Sequence, residues 1–553
     1  MRNKKITKQG LHESAAIFLL ATALVKIIGA LFKIPISSDY CLGDLGFGYF
    51  SAAYDFFSPV YTITVSGFPV AVAKIVADFT AKNKFKNAQK AFFASRRLLF
   101  WLGILASLLM VGLSFPFVRF TDVTGKSLYG MLAIAPSFMF CFWSSAYRGY
   151  FEGLHNMSYP AVSSVIEALG KLILGLGFAL VTVAFTSNTA LGATAALAGI
   201  TVGNIAGTVY LYVAYKRKIS PLPERDETEK PLSQKELYAL IISIAVPVVL
   251  SSMSGSMVAL TDAVTVRWQL TAEVAKSPDL YVGIYEHFAK EFNISELPTF
   301  LYGIRSKAYT IYNLVPSVTV ALGVSAIPTL TEAFAKGDKK QAGKNAGVVL
   351  KLSALITLPI AAGFIFAGKS IMALLYGNGA SAEIGGIMLS LYGVAVAFSG
   401  IFIPLSCVLQ AVGKQNIALY NVAAGVVIKI VLNLILCGVA ELNIFGAVIS
   451  TLVCNAVIFV LHFVTLIKSI GFSFSIKNAI LKPFISALCC GISAHFITLL
   501  GDSSLITLGA IAAAGVVYIT VAALINTFCE EDILSLPAGE KLLKICKTVK
   551  IIR

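Results

Sequence analysis

The sequence predicts an all-α polytopic membrane protein: fourteen transmembrane helices, grouped as two six-helix lobes and an appended C-terminal pair. Three observations carry this. The 553 residues are 57% hydrophobic and 13% charged, about half the charge of an ordinary soluble domain, with a mean hydropathy of +0.82. Apolar runs of bilayer length recur fourteen times. Two long stretches also echo each other at a nearly constant offset. Such a chain is neither a soluble enzyme, nor disordered, nor a secreted disulfide scaffold.

A hydrocarbon core about 30 Å thick needs about 20 apolar residues per helix. The first lobe, 1–215, opens on a basic segment and holds runs at 12–36, 46–77, 96–116, 128–151, 159–185 and 191–215. The first run outlasts the apolar core of a signal peptide and ends in Lys33-Ile-Pro35, so it reads as a retained span. Residues 216–236 hold three prolines among many charges and read as a linker. The second lobe, 237–468, holds runs at 237–268, 301–334, 345–367, 385–412, 416–439 and 444–467. The pair, 469–528, holds runs at 480–500 and 504–528, and 529–553 is a charged tail.

The basic residues test this count. With the N-terminus inside, 30 Lys and Arg fall on inner segments whose ends overlap the runs (82–97, 147–158 with Arg148, and 468–482 among them), 5 on outer loops and the other 9 deeper within runs. That bias matches the positive-inside rule, with both termini cytoplasmic. It also accounts for the net charge of +16 without nucleic acid as a partner.

The echo supports two lobes. Ala53-Tyr54, Ala81-Lys82 and Lys86 through Lys90 recur as Ala308-Tyr309, Ala335-Lys336 and Lys340 through Lys344, at an offset of 254–255. Gly67-Phe-Pro69 corresponds to Ala326-Ile-Pro328 across a local gap, and Lys171 to Lys429 at an offset of 258. Six-helix halves keep the same orientation, and transporters built this way place substrate between the halves.

An ionisable side chain within a span needs a partner, a watery cavity or a function. Lys26 and Lys33 lie seven apart, nearly on one helical face. Lys33 suits either snorkelling to the outer interface or a cavity, while the more central Lys26 suits a cavity. Asp55, beside Tyr54, is positioned to pair with either lysine or to gate substrate. Glu167 and Lys171 have the spacing and polarity of an i,i+4 structural ion pair. Asp262 and Arg267, with Arg305 and Lys307, fall toward the outer side as gate residues or interface anchors. Lys429 lacks a nearby acid in sequence and is a further cavity candidate, whereas Lys74 and Lys351 sit near inner ends and suit snorkelling. Prolines within runs, among them Pro59, Pro69, Pro136, Pro359 and Pro404, are candidate kinks. The segment Tyr281–Phe292 mixes apolar and charged residues at helical spacing and reads as an outer interfacial helix.

Nine scattered cysteines form no metal-ligand spacing, and no nucleotide-binding or hydrolase motif occurs. The expectation is a transporter rather than an enzyme, with no catalytic residue, metal or cofactor. Its energy would come from a membrane potential, a gradient or a coupling ion such as Na⁺ or H⁺.

Ordered motifs then carry a resemblance. Lys26-Ile-Ile-Gly29, Lys33-Ile-Pro35, Gly43-Asp44-Leu-Gly46-Phe-Gly48-Tyr49, Tyr147-Arg-Gly149-Tyr-Phe-Glu152-Gly153 and Leu314-Val-Pro316 resemble the polysaccharide biosynthesis and stage V sporulation protein B branch of the MOP flippase superfamily. The likeness spans about residues 12–530. It implies a V-shaped pair of bundles, as in MATE and MurJ proteins, moving lipid-linked sugars outward across a bacterial cytoplasmic membrane. It matches Lys26 to a basic first-helix position lining the cationic cavity of the MurJ group, and Lys33 approximately to a second. That group's basic second-helix residue has no counterpart here, and Asp55 stands nearby.

The expected substrate is therefore a polyprenyl-diphosphate sugar, lipid II among the candidates. Fixed ammonium groups would replace the hydration that its diphosphate loses. Expected partners are the lipid-linked glycan, membrane lipids and proteins of wall or polysaccharide synthesis, with the chain itself a monomer. Two other readings stay open: a MATE-type cation-coupled multidrug antiporter, for which Asp55 and Asp262 are the available acids, and a non-transporting scaffold for wall or spore assembly.

Overall fold

Strong apolarity with little strand patterning should leave helices alone, and among the described residues helices are the only regular secondary structure. The computed structural model describes residues 11–218, 232–288, 290–470 and 477–527. The basic segment 1–10, most of the expected linker (219–231) and the expected tail (529–553) lie outside the described residues. The chain divides into two compact units, residues 1–303 and 304–553.

The first unit comprises α1 (Leu11–Ser37), α2 (Gly43–Ala81), α3 (Phe85–Thr121), α4 (Ser127–Ile134), α5 (Ser137–Gly153), α6 (Ser158–Gly170), α7 (Leu176–Thr186), α8 (Thr189–Lys218), α9 (Gln234–Lys276) and α10 (Pro278–Ile284). The boundary falls within α11 (Leu297–Tyr312). The second unit continues with α12 (Leu314–Ala335), α13 (Lys339–Tyr376), α14 (Ala380–Ala411), α15 (Gln415–Leu436), α16 (Asn443–Ile470), α17 (Lys482–Thr498) and α18 (Ser504–Leu524). Thirteen helical stretches among the described residues are long and apolar enough to cross a bilayer. The further run expected at 237–268 lies within α9.

Several boundaries differ from the runs for identifiable reasons. α3 begins eleven residues ahead of its run, because its basic first turns still bury Ala88, Ala91, Phe92 and Ser95 on one face. The fourth run breaks between α4 and α5 at Pro136, which lacks a backbone donor. Pro59, Pro69 and Pro404 lie inside continuous helices. In α13 the backbone leaves helical geometry at Ala367 (φ −126°, ψ 19°), eight residues after Pro359. α9, expected to open the second lobe, packs against α2 and α3 and belongs to the first unit.

The two cores differ in chemistry. The first is aromatic, with Phe32, Phe50, Phe57, Phe138, Tyr147 and Phe151 in one cluster. The second is aliphatic, built on Leu350, Leu405, Val408 and Leu409. In the segment after α9, Tyr281 and Tyr285 are buried, and Phe292 packs on Phe300 with ring centroids 4.9 Å apart. Those rings take up packing surface within the protein, while Leu280, Val282 and Ile284 of α10 stay exposed, as an interfacial segment requires.

Candidate functional site

α1 has three faces. Leu20, Leu24, Ile27 and Leu31 form an exposed apolar stripe, and Ile28, Phe32 and Ile36 form a buried one. Lys26 and Lys33 share the third face, roughly 130° round the helix from the exposed apolar stripe at 3.6 residues per turn. Lys26 is exposed and Lys33 half-buried. The apolar stripe suits acyl chains, and the lysine face is separate from it.

The Lys33 side chain meets an aromatic ladder along α2. Phe47 stacks on Phe50 at 5.6 Å and Phe50 on Tyr54 at 5.3 Å. The Lys33 ammonium stands 5.3 Å from the Tyr54 ring centroid. Lys171 reaches the same ring at 4.4 Å and donates to the Tyr54 hydroxyl at 2.8 Å, while standing 5.0 Å from the Phe32 ring. Two cations therefore converge on one tyrosine, held by ring quadrupoles.

The backbone explains how Lys171 gets there. Residues Lys171–Gly175 form one π-helical turn between α6 and α7, a feature that widens the helix locally and recurs at functional sites. A glycine seam with α8 accommodates it. A Cβ on Gly170 would stand 2.5 Å from the Gly203 Cα, and one on Gly199 2.5 Å from the Gly175 nitrogen. Only hydrogen side chains permit so close a backbone approach.

That geometry overturns the Glu167–Lys171 pair. The Glu167 carboxylate instead accepts from the Arg148 guanidinium of α5 at 2.6 Å, with the two side chains 6% and 3% exposed. Its other oxygen accepts from the Tyr61 hydroxyl at 3.4 Å. The backbone N–H of Lys171 still reaches the Glu167 carbonyl, so the helical spacing is kept, but each side chain takes a tertiary partner instead, Arg148 for Glu167 and Tyr54 for Lys171.

Asp55, half-buried beside Tyr54, accepts from the Tyr302 hydroxyl at 3.1 Å. The Arg267 guanidinium lies 4.9 Å from that tyrosine's ring centroid and donates to the Gly48 carbonyl at 3.2 Å and to Thr299 at 3.4 Å. A second polar cluster joins Glu296 to Lys126 at 2.7 Å and to the Tyr49 hydroxyl at 2.9 Å. In the turn after α3, Asp122 accepts from the backbone of Ser127 at 2.8 Å and from the Thr124 hydroxyl at 2.6 Å. Burial opposes its charge, but the nearby Arg267 and these hydrogen bonds prevail and hold its carboxyl below the ordinary value.

The remaining candidates are placed elsewhere. Asp262, Arg267, Arg305 and Lys307 are all buried, which corrects the anchor reading, since an anchor needs its charged head at the interface. In the second unit Arg305 lies 5.2 Å from the Tyr309 ring centroid. There Lys307 donates to Ser381 at 2.9 Å. Lys429 is 0% exposed, so this conformation does not offer it to a ligand, unlike its repeat partner Lys171. Lys351 is buried rather than snorkelling. No group of metal-ligating side chains occurs among the described residues. Sequence reasoning missed Arg148 because the charge was counted with the inner loop. The signal was present, as a lone arginine within the aromatic stretch Trp143–Phe151.

A model of the family described as polysaccharide biosynthesis protein matches residues 11–334, more than half of the chain. The chain belongs to the polysaccharide biosynthesis protein family. A MatE family model matches residues 303–435 of this family member. The stage V sporulation protein B of Bacillus subtilis (strain 168) is 24% identical over 547 residues, covering 97% of this chain and 100% of the relative. The lipid II flippase MurJ of the same organism is 24% identical over 492 residues, covering 85% and 86%. Among solved structures, a lipid II flippase MurJ in an inward closed conformation superposes with a TM-score of 0.67 at 15% identity, covering 92% of this chain and 98% of that one. An inward-facing multidrug resistance MATE family transporter of the MOP superfamily gives 0.65 at 12% identity, covering 83% and 98%. The fold is the one these transporters share.

Proposed function

We propose that this polysaccharide biosynthesis family member flips a lipid-linked oligosaccharide, a polyprenyl-diphosphate sugar, from the inner to the outer leaflet by alternating access. The carrying observation is the lysine face of α1. Lys26 and Lys33 are set apart from the apolar stripe, and Lys171 meets Lys33 at the Tyr54 ring. Clustered ammonium groups suit a diphosphate, because charge-assisted hydrogen bonds replace the water it sheds. Relatives named lipid II flippase and stage V sporulation protein B support a wall, polysaccharide or spore-cortex substrate. The charge bias supports both termini lying inside, and the bacterial relatives support a cytoplasmic membrane. A monomer working beside wall-synthesis enzymes, driven by a potential or by Na⁺ or H⁺, completes the reading.

In this reading Lys26 contacts the diphosphate, Lys33 and Lys171 share its charge, and Asp55 offsets their charge when no substrate is bound. The test is flipping of a fluorescent lipid-linked sugar by the purified chain in vesicles. A hydrogen bond to a charged group contributes about 1.5–3 kcal/mol, so Lys26→Ala or Lys33→Ala should slow flipping by about tenfold or more. Unchanged rates in folded variants would remove the α1 lysines from the mechanism. The MatE match favours one second reading, a cation-coupled antiporter acting through Asp55 or Asp262. Cationic-drug transport abolished by Asp55→Asn, with no flipping by the parent chain, would establish it. A folded chain that moves neither substrate would point to a scaffold.

A further inference from the structure

A cavity of about 780 Å³ opens in the first unit, away from the lysine face of α1. Its size suits a small ligand, whose pockets run from about 300 to 1,000 Å³. One wall is α3, which lines it with Lys90, Phe93, Arg96 and Arg97 at helical spacing. Trp143 of α5, Tyr212 of α8 and, around the start of α9, Leu232, Gln234, Leu237 and Tyr238 also line it. Arg96 stacks on Phe93 with its guanidinium 5.2 Å from the ring centroid. Lys90 and Arg97 are exposed. Three cations thus share the wall, and among the described residues no carboxylate lines it.

The position in the chain identifies the ligand class. The cavity lies where α3 passes from the basic segment 82–97 into its apolar stretch. That transition marks the depth of lipid headgroups, where indole and phenol rings accumulate. The basic end suits a phosphate, and the rings of Phe93 and Trp143 suit the glycerol and first methylenes behind it. Basic pockets between spanning helices on the cytoplasmic side take anionic headgroups for this reason.

We propose that this cavity binds the phosphate headgroup of an anionic phospholipid from the adjacent leaflet. The inference stands apart from the transport reading, because none of these residues belongs to the α1–Tyr54 cluster.

The chain has three tryptophans, Trp101, Trp143 and Trp268. A Trp101→Phe/Trp268→Phe chain in phosphatidylcholine vesicles therefore reports on Trp143 alone. At equal mole fraction, phosphatidylglycerol with brominated chains should quench Trp143 more strongly than brominated phosphatidylcholine. Replacing Lys90, Arg96 and Arg97 by Gln should weaken the preference about fivefold per charge and about a hundredfold together. Arg97→Gln alone, at an exposed position, carries the test if the triple variant fails to fold. Equal quenching by the two lipids overturns the proposal. So does relief of quenching by millimolar inorganic phosphate, which would mark a site for soluble phosphates. An equal preference at Trp268 in a chain retaining only that indole would mark general surface attraction, and would likewise overturn it.

Discussion

The Arg148–Glu167 pair separates the structure from the sequence expectation, and Glu167→Gln tests it. The substitution keeps the shape and an acceptor for Tyr61 but removes the charge opposite a guanidinium that is 3% exposed. An uncompensated buried charge costs about 3–5 kcal/mol. An unfolding entropy of about 2.1 cal/mol/K per residue makes the shift about 1 °C per kcal/mol for 553 residues, so the detergent-solubilised protein should melt about 3–4 °C lower. A thiol-reactive dye can follow the transition, because six of the seven free cysteines among the described residues are buried and react only on opening. A double-mutant cycle assigns the partner. Glu167→Gln with Arg148→Met should show a coupling toward the upper end of the range of about 0.5–3 kcal/mol for residues in contact. The same cycle with Lys171→Met should give a distinctly smaller value, because Lys171 donates to Tyr54 instead. A Glu167–Lys171 coupling as large as that with Arg148 would refute the assignment and restore the i,i+4 pair.

Three further outcomes follow from the same geometry. Tyr54→Phe should cost about 1.5–3 kcal/mol through the lost bond from the Lys171 ammonium, while Tyr54→Leu, which removes the ring shared by Lys33 and Lys171, should slow flipping more; equal rates would exclude a role for the ring. Gly170→Ala should destabilise by about 1–3 kcal/mol, the range for overpacking, because its methyl would meet the Gly203 backbone at 2.5 Å; an unshifted melt would show the seam to be loose. Asp122 has a depressed folded pKa, so its stabilisation is full above the ordinary value of 3.8 and fades as pH falls below it. The melting difference between the parent and Asp122→Asn should therefore shrink between pH 6 and pH 3, and a constant difference would contradict the shift.

Much of the architecture was legible in the chain because membrane helices leave strong one-dimensional signals. Apolar length and Lys/Arg asymmetry marked the runs, and thirteen stretches of the required kind occur among the described residues. The pairing of charges was not legible. Lys171 and Lys429 occupy matching repeat positions, yet one meets Tyr54 and the other is wholly buried. Neither Arg148 nor Tyr302 is near its acidic partner in sequence.

By itself the sequence determined which segments need lipid and which few charges must be accommodated within it. Those properties depend on local composition, because each helix satisfies its own backbone hydrogen bonds. The partner of each charge, the π turn at Lys171 and the separation of the α1 lysines from its apolar stripe were decided only in three dimensions. Side-chain contacts depend on helix rotation and close packing, here set by the seam of Gly170, Gly175, Gly199 and Gly203. A small rotation about that seam changes which oxygen meets which nitrogen while leaving the hydropathy pattern unaltered.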